Sequence, residues 1–96
     1  MSFSFHPEAE AEFNEAIDYY EGIELGLGYD FAIEVYNTIQ RSTSFPKAWS
    51  TIEGDIRRSL VKRFPYGVLY SEENDEIYII AIMHLHRFPD YWKHRK

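Results

Sequence analysis

The sequence predicts an α+β domain, βααβββ in order, with a two-helix hairpin packed on one face of a small, largely antiparallel sheet and a short C-terminal helix or tail. Through the first half, apolar residues recur at spacings of three and four, the period of an amphipathic helix. The second half changes to short apolar runs separated by turn residues, the pattern of strands. Helical and strand signals do not alternate, which argues against a parallel α/β arrangement. The 96 residues suffice for one core, so residues 1–96 are expected to form a single domain.

Taken in order, Ser2–Phe5 alternates polar and apolar residues and predicts a short strand. Pro7 sits where the first helical position tolerates proline, and Glu8, Glu10 and Glu12 complement a helix N-terminus. Phe13, Ala16, Ile17 and Tyr20 then form one apolar stripe. Residues 22–28 hold three glycines and predict the turn of the hairpin. A second stripe of Phe31, Val35 and Ile39 is expected to end before Phe45-Pro46, because the residue preceding proline disfavours the helical region.

Residues 55–64 mix Ile56, Leu60 and Val61 with Arg57, Arg58, Lys62 and Arg63, which predicts a half-buried strand with a basic exposed side. Pro65-Tyr66-Gly67 is turn chemistry, and residues 68–71 form the next strand. Residues 72–76 are a polar loop. Residues 77–83 are apolar on both faces, as in a central strand covered on both sides.

Composition narrows the function. Apolar residues make up 45 % and aromatics 18 % of the chain, enough to fold without help. Cysteine is absent, which removes disulfides and thiolate metal sites and fits a reducing cytosol. No leader is evident at the start, and the longest apolar run is far short of the roughly 20 residues of a membrane helix. A soluble, cytoplasmic protein with no membrane contact is therefore expected. The net charge of −6 is unevenly spread: residues 1–40 carry nine acids and no Lys or Arg, whereas residues 41–96 carry seven acids and ten bases. Such a molecule either presents two faces to two kinds of neighbour or simply solvates its helices with acid.

The stretch AIMHLHRFPDYW, residues 81–92, is the densest in chemistry. Residues two apart share a strand face, so Ile80, Ile82, His84 and His86 are expected to line up. Two imidazoles alone do not make a zinc site, and His6, His94 and Asp90 add no recognisable ligand spacing; no metal and no cofactor is expected. Nor does any serine sit in a nucleophile-elbow pattern. Arg57, Arg58, Lys62 and Arg63, with His86 and Arg87, could converge on a phosphodiester if their strands share a sheet. The alternative is a solvated strand face paired with Glu53, Asp55 and Glu72. Tyr66, Tyr70, Tyr91 and Trp92 could stack on bases, although aromatics in so small a domain mostly build the core.

Taken together, Ala9, Glu12-Phe13 and Ala16-Ile17-Asp18-Tyr19-Tyr20, then Gly26-Leu27-Gly28 and Phe31, then Arg57, Val61 and RFPYGVLY (63–70), then AIMHLHRFPDYW resemble the RelE/ParE superfamily. These are toxins of bacterial type II toxin–antitoxin systems, sometimes called plasmid stabilisation proteins. The resemblance covers nearly the whole chain. It implies the predicted fold and a cognate antitoxin that neutralises the toxin and carries it to operator DNA. A homodimer stays open.

The superfamily divides by mechanism. RelE-like members cut messenger RNA on the ribosome with lysines, arginines and a C-terminal tyrosine. On this chain one family lysine falls on Arg58, the next on Leu60, and a key arginine on Gly67. A later arginine falls on His86 or Arg87, and the tyrosine on Trp92, beside Tyr91. Loss of one such charge-stabilising donor is worth roughly 10²–10³ in rate, and a pI near 5.1 opposes docking among ribosomal RNA. ParE-like members bind DNA gyrase without chemistry, and His84, Arg87, Pro89 and Trp92 resemble that branch more. The resemblance therefore implies a ParE-like gyrase inhibitor that contacts its target or antitoxin through Arg57, Lys62, Arg87 and Trp92. A RelE-like ribonuclease would use Arg58, Arg63, His84, His86, Arg87 and Tyr91 as its candidate catalytic groups. A third reading is an inactive member that serves as a binding module.

Overall fold

The computed structural model describes residues 1–87 and 89–95. The elements are β1 (Ser2–Phe5), α1 (Pro7–Ile23), α2 (Leu27–Ser44), β2 (Thr51–Glu53), β3 (Ile56–Leu60), β4 (Tyr66–Glu73), β5 (Glu76–His84) and a 3₁₀ turn, Lys93–Arg95. The strands form one sheet in the order β1-β5-β4-β3-β2. Only the β1–β5 pair is parallel; the other three are antiparallel. The predicted α+β class holds, with one short strand, β2, added at the sheet edge.

Local chemistry sets the helix ends. His6 caps α1, its Nδ1 accepting from the Glu8 N–H at 3.0 Å, and Pro7 follows at the first helical position. At the hairpin turn the Glu21 carboxylate accepts from the N–H groups of Gly26 (2.9 Å) and Gly28 (3.0 Å). Gly26 has φ +89°, a conformation that glycine adopts without penalty. Gly28 serves a different need: a Cβ there would lie 2.5 Å from the Ile17 carbonyl oxygen. The two helices touch backbone to backbone at that point.

The hairpin covers one face of the sheet. Phe13, Phe31, Val35 and Ile39 from the helices meet Val68, Tyr70, Ile77, Ile79 and Ile82 from the strands. A smaller cluster of Ile56, Leu69, Ile80, Ala81, Met83 and Trp92 lies on the opposite face. β5 is thus buried on both sides, as its unbroken apolar run predicts.

Three sequence expectations are corrected. The strand expected over residues 55–64 ends at Leu60: Arg63 takes φ +72°, and the Val61 N–H bonds to the Tyr66 carbonyl at 2.9 Å, closing a loop. The expected line of Ile80, Ile82, His84 and His86 is broken. Leu69 pairs with Ala81 and Tyr70 with Ile79, so Ile80 is the extra residue of a β-bulge. Ile80 and Ala81 both join the far cluster, and Ile82 returns to the helix side. The polar loop of 72–76 contracts to a two-residue turn, Asn74-Asp75, with φ +53° and +60°, the geometry favoured between twisted antiparallel strands.

Candidate functional site

β1 stops pairing at Phe5 opposite Ile79, and the His6 N–H takes the Ile79 carbonyl at 2.8 Å. Beyond that point side chains finish the ladder along β5. Glu12 of α1 accepts from the Ile82 N–H at 3.1 Å. Arg95 donates to the Ile80 carbonyl at 3.2 Å and to both Glu12 oxygens, at 2.8 and 3.1 Å. The Arg95 and Glu12 side chains are only 5 % and 11 % exposed. This is a bidentate, charge-assisted pair in a poorly solvated place. Burial alone would lower the Arg95 guanidinium, but the hydrogen bonds and charge of Glu12 outweigh it and leave it raised.

The same carboxylate gathers further groups. Arg87 lies 3.6 Å from Glu12 and stacks over the Tyr91 ring at 3.8 Å. Burial, then the neighbouring Glu12 carboxylate, pushes the Tyr91 phenol up. His94 meets Glu8 at 2.9 Å, and this hydrogen bond draws the Glu8 carboxyl down. Lys93 bridges Glu53 at 2.9 Å and Asp90 at 3.4 Å, and the Glu53 contact raises its ammonium. The segment after β5 is therefore strapped to α1 on one side and to β2 on the other. Glu12, Glu8 and Arg95 carry no site signal in the sequence beyond their charge.

His84 faces the helices at the end of β5. Its Nδ1 accepts from the His86 N–H at 3.1 Å, so the neutral ring carries its proton on Nε2. It lies edge-on to Tyr66, with ring centres 5.0 Å apart, and 5.3 Å from the exposed His86 ring. Burial raises the Tyr66 phenol. His84, Tyr66 and Arg87 line a cleft of about 170 Å³ against Glu12, Glu15 and Tyr19 of α1.

Arg58 is on the other face. It lines a second cleft of about 180 Å³ with Ile52, Met83, Pro89 and Trp92, and its side chain lies across Gly67, where a Cβ would come within 3.1 Å of it. Arg57 turns to the helix side and donates to the Trp49 carbonyl at 2.6 Å. Arg63 is 3.7 Å from both Asp30 and Glu34 of α2. Lys62 is exposed. The cations of β3 and of the β5 end thus share a sheet without converging. Trp92, expected to meet a partner, is 2 % exposed and packed in the far cluster; burial of so large an apolar ring outweighs its exposure. Among the described residues no group of three or more His, Asp or Glu is placed to hold a metal. No helix among them is long and apolar enough to cross a membrane.

No family model and no curated protein matches the chain. Among solved structures it is similar to a chain of the "Chromosomal ParDE TA system from P. aeruginosa", with a TM-score of 0.74 and 15 % identity over 90 % of this chain and 97 % of that one. The fold is therefore ParE-like: a strand, a helical hairpin, then antiparallel strands.

Proposed function

We propose that this chain is the toxin of a toxin–antitoxin pair and acts by binding DNA gyrase, without chemistry of its own, until a cognate antitoxin neutralises it. The fold shared with a ParDE chain supports the toxin role. The separation of the candidate catalytic groups favours binding over cleavage. Arg58 lies on the far face, Arg63 is drawn to α2, and Arg87 is held by Glu12. Gly67 stands where the resemblance implies an arginine, and the space above it is taken by Arg58.

On this reading the exposed cations Lys62 and Arg87 face the target. Arg57 holds the segment between α2 and β2 through the Trp49 carbonyl, and Trp92 packs down the segment that follows Arg87, rather than touching a partner. The far face, where Leu60, Leu85 and Ile52 are exposed around Arg58, suits an apolar segment of the antitoxin. Operator DNA is reached through the antitoxin, and the site of action is the cytoplasm.

Inducing the chain alone in bacteria, with thymidine and methionine incorporation followed over the first minutes, tests the reading. DNA synthesis is expected to stop first, and Lys62→Ala with Arg87→Ala to relieve the arrest. Earlier loss of protein synthesis would instead support a ribosome-dependent ribonuclease, which the cleft joining His84, Tyr66 and Arg87 favours. Arg58, Arg63, His84, His86, Arg87 and Tyr91 would then be the groups to replace. Unimpaired growth at full expression would leave a binding module.

A further inference from the structure

The cleft between α1 and the end of β5 shares Arg87 with the proposed gyrase contact, but its other lining groups are not used there. The buried Ala16 and Ile82 line it together with the rings of Tyr19 and Tyr66. Glu15 lines it as well and has no hydrogen bond or ion pair among the described residues. Arg87, the cation in its lining, already lies against Glu12. Glu12 is met by both Arg87 and Arg95, which leaves Glu15 as the lining carboxylate without a cation, on a chain half, residues 1–40, that holds nine acids and no Lys or Arg.

Size limits the occupant. A volume of about 170 Å³ is well below the roughly 300–1,000 Å³ of small-molecule and cofactor pockets. It is close to the roughly 150 Å³ that accepts one benzene-sized group. Tyrosine faces attract a cation, and an unpaired carboxylate completes its coordination. A phosphate would meet the unpaired Glu15 carboxylate here, with Arg87 already engaged by Glu12, and is disfavoured.

We propose that this cleft receives a single arginine or lysine side chain from a partner protein, its cationic head against Glu15 and its stem between Tyr19 and Tyr66. The helix continues the surface outward: Ile23 lies four residues beyond Tyr19 and is exposed, as is Leu25 at the hairpin tip. A basic residue flanked by apolar ones is the matching partner segment. This surface adjoins the cationic one at Arg87 and does not depend on gyrase being the target.

The test uses the whole, isotope-labelled chain and three probes: Nα-acetyl-arginine amide, its neutral isostere Nα-acetyl-citrulline amide, and inorganic phosphate. Amide resonances of Glu15, Ala16, Ile82 and His84 are followed by NMR. The arginine probe is expected to shift them saturably, less at high salt, while citrulline amide and phosphate leave them in place. Glu15→Gln is expected to weaken binding roughly two- to fivefold, and Tyr19→Ala to weaken it by a similar factor. Both positions are exposed, so an unchanged melting temperature is expected and checks the fold. Equal shifts with citrulline, the same shifts with phosphate, or no saturable shift would each overturn the proposal.

Discussion

At Glu12 one carboxylate holds four things together: the Ile82 N–H, Arg95, Arg87 and, through Arg95, the carbonyl of Ile80. Removing one member of such a buried pair leaves an uncompensated charge, at a cost of about 3–5 kcal/mol. Glu12→Gln is therefore expected to lower the unfolding free energy measured in urea by that amount. Glu12→Gln combined with Arg95→Met should recover much of the loss, since the orphaned guanidinium is gone. Equal stability of the single and double variants would show that Arg95 finds water instead. Gly28 is the other sensitive position. A methyl group 2.5 Å from the Ile17 carbonyl must push the helices apart, so Gly28→Ala should cost about 1–3 kcal/mol despite its gain in helix propensity. Gly22, with open space around it, is the control: Gly22→Ala should be neutral or stabilising by equilibrium unfolding.

Among the elements, the strap after β5 is held by ionisable groups and responds to pH. The Tyr91 phenol, raised by burial and Glu12, stays neutral in the folded state beyond its usual range. A raised value contributes stability that is intact below the ordinary phenol value of 10.0 and is lost as pH rises above it. Tyr20, Tyr66 and Tyr70 are raised by burial too and act in the same direction. Melting temperature should fall from about pH 10 upward, and Tyr91→Phe should reduce the slope. Glu8 acts oppositely and weakly: its lowered carboxyl supports the His94 contact above the ordinary carboxyl value of 4.5, and that support fades as pH falls below it.

The helices and the central strand are legible in the sequence because their periodicity, proline and glycine signals agree with their burial. The strand β2 is not, since three exposed residues, Thr51–Glu53, carry no pattern. The bulge at Ile80 is hidden by the very run that reveals β5: where every residue is apolar, either phase of alternation reads equally well. The candidate site is legible only in part. His84 and Arg87 stand out, but their organiser Glu12 meets Arg95 across 83 positions, a contact that no local spacing encodes.

The whole molecule separates its charge by fold as well as by sequence. The acid-only first 40 residues build β1, α1 and most of α2, whereas the bases begin with Arg41 at the end of α2 and Lys47 after it and continue along β3, the 61–65 loop and the strap. Electrostatically steered association with an acidic target surface should proceed through the second region, with an on-rate that falls as salt screens it. Measured by stopped flow against purified gyrase, the target proposed above, association is expected to slow by about tenfold or more between low and physiological ionic strength. A salt-independent rate would place the contact on an apolar patch instead.

The sheet order also governs when the molecule can exist. β1 is made first but lies beside β5, with Ser2 opposite Glu76 and Phe5 opposite Ile79. A nascent chain can wind its helices early, yet its first strand has no neighbour until the last strand has left the ribosome. Closing so long a loop is slow compared with local folding. Any surface that depends on the completed sheet is therefore absent until β5 has emerged, which leaves an interval in which a partner synthesised earlier can already be waiting.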